Sequence, residues 1–463
     1  MRFRLLALLF FSSTFCLAQT AGDNVHQLAR EILQQLVNMK TSESGIGSTP
    51  AAEILAKRFR DAGFPDKDIF LGGPEPRKKN VVVRLQGRSH EKPILLLAHL
   101  DVVEANKEDW SPDLDPFKFI EKDGYFYGRG TEDIKQGASL LAANMIRWKQ
   151  ANWVPARDII LALTADEESG TANGVDWLLK EHRNLIDAEY CLNTDGGDFS
   201  ERQGKMFMAT IAAAEKKYSA IKLETSNRGG HGSLPRKDNA IYQLAHALDK
   251  VEVYRFPVSL NEITKVELSH QASLESGQKA ADLKAIVTNP SESTIADRLS
   301  EDPRLNAMMR TTCVATKIEG GHAENALPQH AKAVLNCRML PDADPEKVIA
   351  AIRNAIGDAG VQAGWETLDK RIYPASPLRP DLMKSLTQVI QQMWPGTEVM
   401  PSMEMGASDG KYLRAEGIPT YGVPGVPTEA GDVRAHGKDE RIGIREFYAG
   451  VDFYDKLMKA LLP

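Results

Sequence analysis

The sequence predicts an α/β protein: a largely parallel sheet covered by helices, with a smaller α+β domain inserted into it. Apolar, strand-like runs alternate with helical segments over the first half of the chain. Three of these runs end in acidic or histidine residues, as is typical of the carboxyl edge of a parallel sheet that holds a ligand. The pattern changes after about residue 214 and resumes from about residue 373. Two domains are therefore expected, one interrupting the other.

Size and charge narrow the class of protein. The chain has 463 residues, 42% of them hydrophobic, and is long enough to bury more than one core. Its net charge of −6 argues against a nucleic acid as a partner. After the amino-terminal region no stretch is apolar and long enough for a transmembrane helix, so we expect no membrane anchor.

Residues 1–18 have the pattern of a secretory signal. Arg2 and Arg4 precede an apolar run that is too short to span a membrane, and small residues follow near Ala18. We therefore expect cleavage there and export, to the periplasm or out of the cell. The mature chain keeps three cysteines, too few for a disulfide framework, and a pairing of the last two is left open: Cys191, Cys313 and Cys337.

The first part of the main domain is predicted over residues 19–214. Its beginning, residues 24–64, has helical spacing, with Ser48 and Thr49 available as caps and Pro50 at a first-turn position. Strands and helices then alternate, which favours a mostly parallel sheet between helices. The predicted strands are 80–87, 92–101, 157–168 and 189–197, and the predicted helices are 134–150 and 174–186.

The inserted domain is predicted over residues 215–372, in the order βαββαβ. Its predicted strands are 218–226, 311–321, 331–341 and 361–368, and its helices are 239–252 and 344–360. Residues 255–310 form a polar, helix-prone insertion with no assigned role. The main domain resumes over residues 373–463, where we expect the helix 380–394 and the strand 417–424.

Four side chains from the main domain are expected to converge. His99 of AHLD, Glu168 of TADEESG and Asp195 of NTDGG follow predicted strands, and Asp133 of GRGTEDIKQG precedes a helix. The carboxyl ends of parallel strands lie along one edge of a sheet. Acids gathered there without lysine or arginine would repel one another, and a divalent cation removes that penalty. The sequence therefore predicts a metal site.

Zinc suits this mixture of histidine nitrogens and carboxylate oxygens. Two Zn²⁺ ions that share a bridging carboxylate need about five protein ligands, and His436, the only histidine after residue 330, is expected to be the fifth. Asp101 is better placed to fix the ring of His99 than to bind metal. Consecutive acids on a strand end point apart, so Glu168 is expected to bind metal and Glu167 to accept a proton from water.

Eight motifs in order carry a resemblance to a known family: AHLDVV, GRGTEDIKQG, ADEESG, NTDGG, GGHGSLP, GGHAENALP, GASDGKYL and AHGKDE. They resemble the dizinc metallopeptidase family of carboxypeptidase S, aminoacylase, carnosine dipeptidase and succinyl-diaminopimelate desuccinylase, of peptidase clan MH. The resemblance covers nearly the whole mature chain. It implies a zinc-exopeptidase-like catalytic domain, with the inserted domain acting in lid closure and dimerisation.

The resemblance also implies a role for each matching residue. His99, Asp133 and Asp195 would bind one Zn²⁺, and Asp133, Glu168 and His436 the other, with Asp133 bridging and with Co²⁺ or Mn²⁺ able to substitute. Glu167 would be the general base and His231 the oxyanion-stabilising group, which relatives supply from the partner subunit of a homodimer. The residues that resemble substrate-binding positions are Asn325, Arg338, Gly406 and Ser408.

The chain departs from the family pattern at two positions. GRGTEDIKQG reads TEDIK where relatives usually read DMKGG or DDK, and the register still favours Asp133 over Glu132 as the bridging acid. The third acid is Asp195, whereas some members, including the desuccinylase, use glutamate. By analogy this favours the peptide-cleaving and carboxypeptidase S-like branches.

Three functions are therefore weighed. The first is a secreted zinc exopeptidase, of carboxypeptidase or dipeptidase type, that hydrolyses an amide next to a free carboxylate in a short peptide. The second is a deacylase that acts on N-acyl amino acids by the same chemistry. The third is a catalytically silent binding protein, against which the intact Glu167 and the full ligand set argue.

Overall fold

A computed structural model describes residues 21–463, so the predicted signal, residues 1–18, lies outside the described residues. The helices of the first part of the main domain are α1 (Ala21–Val37), α2 (Thr49–Asp61), α3 (Lys135–Gln150), α4 (Gly174–Glu181) and α5 (Arg183–Ile186). Its strands are β1 (Ile69–Glu75), β2 (Lys78–Leu85), β3 (Ile94–His99), β4 (Ile120–Lys122), β5 (Tyr125–Tyr127), β6 (Ile159–Thr164), β7 (Tyr190–Asn193), β8 (Asp198–Arg202) and β9 (Lys205–Glu215).

The chain then builds a second unit. Its strands are β10 (Lys217–Ser226), β11 (Gly230–His231), β12 (Thr312–Gly320), β13 (Ala326–Leu327), β14 (His330–Met339) and β15 (Val361–Thr367). Its helices are α6 (Ala240–Val253), α7 (Glu262–Leu274), α8 (Gly277–Thr288), α9 (Ser293–Leu299), α10 (Pro303–Met309) and α11 (Pro345–Ile356). The polar insertion of unassigned role thus consists mainly of the four helices α7–α10.

The final part returns to the first unit. It contains the helices α12 (Pro380–Met393), α13 (Gly410–Ala415) and α14 (Ile444–Leu461) and the strands β16 (Glu398–Glu404), β17 (Thr420–Gly422), β18 (Thr428–Glu429) and β19 (Arg441–Gly443). No helix in the described residues combines the length and the apolar character needed to cross a bilayer.

The main sheet has ten strands in the order β1-β2-β6-β3-β7-β17-β9-β8-β18, with β16 paired to β9. The strands β6, β3, β7 and β17 run parallel to one another. Antiparallel pairs join β1 to β2, β2 to β6, β17 to β9 and β9 to β8, and β16 and β18 add parallel pairs with β9 and β8. The expected α/β class with a mostly parallel central sheet is confirmed. The strands β1, β8, β9, β16 and β18 of this sheet were not predicted.

Helices cover both faces of this sheet. Along β3, Leu96 and Ala98 belong to the hydrophobic core on one face, and Leu95 and Leu97 to the core on the other. All six residues of β3 are buried, as are all six of β6. A strand buried on both faces reads as a continuous apolar run, which is why the sequence identified these strands.

The inserted unit has its own sheet and its own core. Its four strands lie in the order β12-β14-β10-β15, and every neighbouring pair is antiparallel. The helices α6 and α11 pack on one face of it, as the order βαββαβ predicts. Cys313 of β12 and Cys337 of β14 face each other in register and form a disulfide, which settles the pairing left open by the sequence. Cys191 is buried and free.

Candidate metal centre

Three neighbouring strands end together at one edge of the main sheet. His99, the last residue of β3, pairs with Thr164, the last residue of β6. On the other side of β3, Leu97 pairs with Asn193, the last residue of β7. Glu168 and Asp195 lie in the loops that begin directly after β6 and β7, and Asp133 lies just before α3. The parallel register thus brings distant parts of the sequence to one place.

The bridging position predicted for Asp133 has direct geometric support. Its Oδ1 lies 3.2 Å from Nε2 of His99, and its Oδ2 lies 2.9 Å from Nε2 of His436. The same nitrogen of His436 lies 3.1 Å from Oε1 of Glu168. One carboxylate therefore faces two histidines that are separated by most of the chain, and each histidine faces it through the same type of ring nitrogen.

The donor set fits divalent metal ions. In each of two overlapping groups, one ligand atom per residue lies within 4.8 Å of the others: His99, Glu167 and Asp195 in the first, and His99, Asp133 and Glu168 in the second. Imidazole nitrogens and carboxylate oxygens at this spacing are the ligands that zinc takes in hydrolases. The atoms of Glu167 lie as close as those of the predicted ligands.

The carboxylates of the centre favour positively charged groups beside them. Hydrogen bonds with Asp133 and Glu168 raise the pKa of His436 to about 10. Burial alone would lower the pKa of His99, but the hydrogen bond with Asp133 and the surrounding carboxylates hold it well above its usual value. Burial, and then the charge of Asp195, raises the pKa of Glu167. Such a cluster is stabilised by bound cations.

Asp101 contacts the ring of His99 and also the loop that carries Glu167 and Glu168. The carbonyl oxygen of Asp101, and not its carboxylate, lies 3.0 Å from Nδ1 of His99, which leaves Nε2 facing the centre. The two carboxylate oxygens instead accept the backbone N–H groups of Glu167 and Glu168, at 3.1 and 3.0 Å. Asp101 therefore holds the ring of His99 through its carbonyl oxygen, and the backbone of Glu167 and Glu168 through its carboxylate.

Glu440 holds the loop of the bridging acid and was not identified from the sequence. One of its oxygens accepts the backbone N–H groups of Gly130, Glu132 and Asp133, at 2.9, 2.8 and 3.1 Å. Its other oxygen pairs with Arg129 at 2.6 Å, and both side chains are almost fully buried. The only sequence signal was an acid four residues after His436.

The predicted carboxylate-side loop is tied to the crossover between the two units. Ser408 donates its backbone N–H and its hydroxyl to Oε2 of Glu215, at 2.7 and 3.0 Å. Asp409 is buried and accepts hydrogen bonds from Thr164 and Asn173, at 2.9 and 2.6 Å. Asp409 was missed because its partners are more than 200 residues away in sequence.

The predicted site residues of the lid lie on β11, on β14 and just before β13. His231 is exposed and hydrogen-bonds Ser233, and it pairs with Ala326 next to Asn325 in the small β11–β13 sheet. Arg338 on β14 lies over the ring of Tyr218 at 5.0 Å. No hydrogen bond in the described part of the chain joins His231, Asn325 or Arg338 to the centre, so their substrate roles stay predictions.

A cavity of about 450 Å³ opens beside the centre. Its wall includes Asp133 and Asp195, and Gly406 of the predicted carboxylate-side loop. Apolar side chains form much of the remaining wall: Met403, Met405, Val426, Val433 and Ile442. This is the size and character of a site for a small organic molecule.

Comparison with known proteins gives concordant matches. The sequence profile of peptidase family M20/M25/M40 matches residues 95–460. N-fatty-acyl-amino acid synthase/hydrolase PM20D1 of Homo sapiens is 28% identical over 382 residues, which cover 80% of this chain and 74% of that protein. Probable carboxypeptidase S-like 2 of Dictyostelium discoideum is 30% identical over 389 residues, covering 80% of this chain and 71% of that protein.

The fold also matches solved structures. The crystal structure of an M20 family metallo-carboxypeptidase from Sulfolobus solfataricus superposes with a TM-score of 0.69 at 18% identity, covering 93% of this chain and 98% of that chain. At this identity the likeness concerns the fold, including both units.

Proposed function

Because the chain belongs to peptidase family M20/M25/M40, we propose that it is an exported, dizinc exopeptidase of short peptides. As a member of this family it is a metal-dependent hydrolase of peptide or N-acyl amide bonds. In the proposal, it cleaves the amide next to a free carboxylate. The observation that carries the proposal is Asp133, whose two oxygens face His99 and His436.

The ligands of the two ions would be His99, Asp133, Glu168, Asp195 and His436. When bound, the ions would polarise the amide carbonyl and make water a stronger nucleophile. Glu167 takes a proton from the attacking water at its carboxylate and returns it to the departing amine nitrogen. Asp101 holds Glu167 for this task through the backbone hydrogen bond of 3.1 Å.

The second candidate is an N-acyl-amino-acid deacylase. The apolar part of the cavity wall favours it, since Met403, Met405 and Val426 would accommodate an acyl chain as well as an amino-acid side chain. The human relative whose name describes N-fatty-acyl amino acids also supports it. Both candidates need the same centre, so they differ only in the group that occupies the cavity.

Export is proposed from two observations. Residues 1–18 carry the signal pattern, and the Cys313–Cys337 disulfide is of a kind that persists in oxidising compartments. Sequencing the amino terminus of the protein recovered from the periplasm or the medium tests this. A mature chain that begins near residue 19 is expected, and an intact Met1 in a cytosolic fraction would contradict it.

A homodimer is proposed from the lid. The strand β12 lies at the edge of the lid sheet, and it exposes Val314 and Ile318. An exposed apolar edge strand is a natural pairing surface for a second copy. In the described residues His231 hydrogen-bonds Ser233 and makes no hydrogen bond with its own metal centre, which agrees with its supplying a neighbouring one.

The substrate class is tested by amine release. The zinc-loaded protein is given matched sets of dipeptides, tripeptides and N-acyl amino acids, with Glu167→Gln as the blank. Cleavage of peptides at a much higher kcat/KM than of acyl amino acids supports the exopeptidase, and the reverse supports the deacylase. No amine release above the blank from any set would contradict both.

A further inference from the structure

The helical arm, which we define as α7–α10 (residues 262–309), is part of the inserted segment but packs on the catalytic domain. The lid has a core of its own. The buried apolar side chains of the arm belong instead to the core of the main sheet, among them Ile263, Leu268, Leu283, Leu305 and Met309. The arm is therefore fixed to the domain that carries the metal centre.

Polar contacts reinforce this attachment. Glu267 on α7 is buried and accepts the backbone N–H of Met403, in β16, at 3.1 Å. At the other end of the arm, the buried Lys216 donates to the carbonyl oxygens of Ala307 and Arg310, both at 2.8 Å. Since β16 forms a wall of the cavity beside the centre, the arm is positioned against that cavity.

Arg304 of the arm lines the cavity. Its side chain is 66% exposed, and its nearest acidic group is Glu267, at 3.7 Å. Within the described residues its guanidinium group makes no hydrogen bond. Apart from the group that faces Glu267, the N–H donors of this arginine are thus left for an acceptor in the cavity.

The surrounding charges define that acceptor. Among the described residues that line the cavity, Arg304 is the only arginine or lysine, and the other charged groups are acids: Glu132, Asp133, Asp195, Asp198 and Glu404. A substrate carboxylate near Arg304 would also be repelled by the negative charges of Glu404 and Asp198. A neutral carbonyl accepts hydrogen bonds from arginine without that repulsion.

We propose that Arg304 is a specificity-determining residue that binds a neutral carbonyl group, of the carboxamide or peptide type, at the end of a substrate side chain in this cavity. The apolar wall contacts the aliphatic part of that side chain, and Arg304 binds the carbonyl group at its end. The inference rests on the proposed amide hydrolysis, because the cavity begins at Asp133 and Asp195. It gives residues 255–310 a role in substrate selection.

Glutamine and methionine substrates provide the test, because these side chains have similar size and differ in the terminal carboxamide. Two dipeptide series vary one residue, Gln or Met, on either side of the cleaved bond. The wild-type protein is expected to prefer Gln over Met by about tenfold in kcat/KM on one side, as one charge-assisted hydrogen bond allows. Arg304→Ala is expected to lose that preference through KM.

Two further variants sharpen the result. Arg304→Lys keeps the charge but not the paired donors, so it is expected to retain part of the preference. Lys284→Ala removes an exposed cation elsewhere on the arm and is expected to retain all of it. A preference that is absent from the wild type, or that survives Arg304→Ala, would overturn the inference.

The proposed function is tested separately within the same experiment. If the wild-type protein hydrolyses no peptide, the exopeptidase proposal fails. Equilibrium binding of the same Gln and Met peptides to Glu167→Gln protein, measured by calorimetry, then still reports whether Arg304 discriminates between them. The ratio of the Gln-peptide affinity to the Met-peptide affinity is compared between Glu167→Gln and Glu167→Gln/Arg304→Ala proteins. An equal ratio in the two proteins would overturn the inference regardless of turnover.

Discussion

Two adjacent glutamates in one loop are assigned different tasks. Glu168 faces His436, whereas Glu167 lies beside His99 and Asp195. Glu167→Gln is expected to lower kcat by about a thousandfold, since a general base contributes 10²–10⁴, while the protein keeps its metal. Glu168→Gln is the matched control and is expected to lose metal.

Metal content by mass spectrometry separates the two outcomes. A Glu167→Gln protein that loses one metal equivalent would show that Glu167 is a ligand. Retained activity would show that another group acts as the base.

Asp101 is the residue that orders this loop. Its carboxylate accepts the N–H groups of both Glu167 and Glu168. In Asp101→Asn one of the two acceptors becomes an amide donor, which would face an N–H group. We expect kcat/KM to fall by about 10- to 100-fold, as for other groups that orient metal-site residues. Unchanged steady-state kinetics and metal affinity would contradict this role.

At the level of helices and strands, the arm is expected to make the free energy of unfolding depend on pH. Burial raises the pKa of Glu267 from 4.5 to about 7. The unfolded chain releases this proton at lower pH than the folded protein, so the contribution of Glu267 is fully present below pH 4.5 and is lost as the pH rises to 7. Glu267→Gln lacks this titration and keeps an acceptor for Met403. We expect it to gain stability over the wild type across that interval, by about 3 kcal/mol at pH 7.

Thermal unfolding between pH 4.5 and 8 measures the effect. Glu262→Gln, on the exposed side of the same helix, is the control and is expected to show no such gain. A wild type and a Glu267→Gln protein with parallel pH profiles would contradict the assignment.

The same elements show what the sequence could and could not predict. The strands β3 and β6 were predicted because they are buried on both faces and form uninterrupted apolar runs. The strand β16 was missed because Pro401 argues against a strand, and it is tolerated there since β16 pairs on one side only, with β9. The alanine-rich β9 has few of the β-branched residues that favour strands, namely Thr210 and Ile211.

The predicted metal site could be read from the sequence because its residues follow predicted strands or stand in ordered motifs. Glu440 and Asp409 stand in the motifs AHGKDE and GASDGKYL, but their roles could not be predicted, since the groups that they bind come from other parts of the chain. The packing of the arm on the catalytic core was likewise hidden, because its helices lie between two lid elements in sequence. Tertiary contacts of this kind are not encoded in local periodicity.

Taken as a whole, the molecule separates the metal centre from the lid residues predicted to complete it. If His231 serves a neighbouring subunit, two inactive proteins should complement each other. We expect His231→Ala and Glu167→Gln proteins to regain activity when they are mixed. Random exchange of subunits gives mixed dimers, each with one intact site, so the activity should reach about a quarter of the wild-type level. Activity of mixtures after subunit exchange measures this.

The control is a mixture of His231→Ala with Glu167→Gln/His231→Ala, which can form no intact site. Verified mixed dimers without activity would contradict the in-trans role of His231.

The proposed activity depends on the binding of two metal ions by five residues: His99, Asp133, Glu168, Asp195 and His436. The most direct measurement is the zinc content of the folded wild-type protein after dialysis against Zn²⁺, compared with that of Asp133→Ala. We expect two ions per chain in the wild type and fewer than one in the variant, because Asp133 faces the histidines of both predicted ligand sets. A wild type that binds no zinc, or an Asp133→Ala protein that still binds two ions, would contradict it.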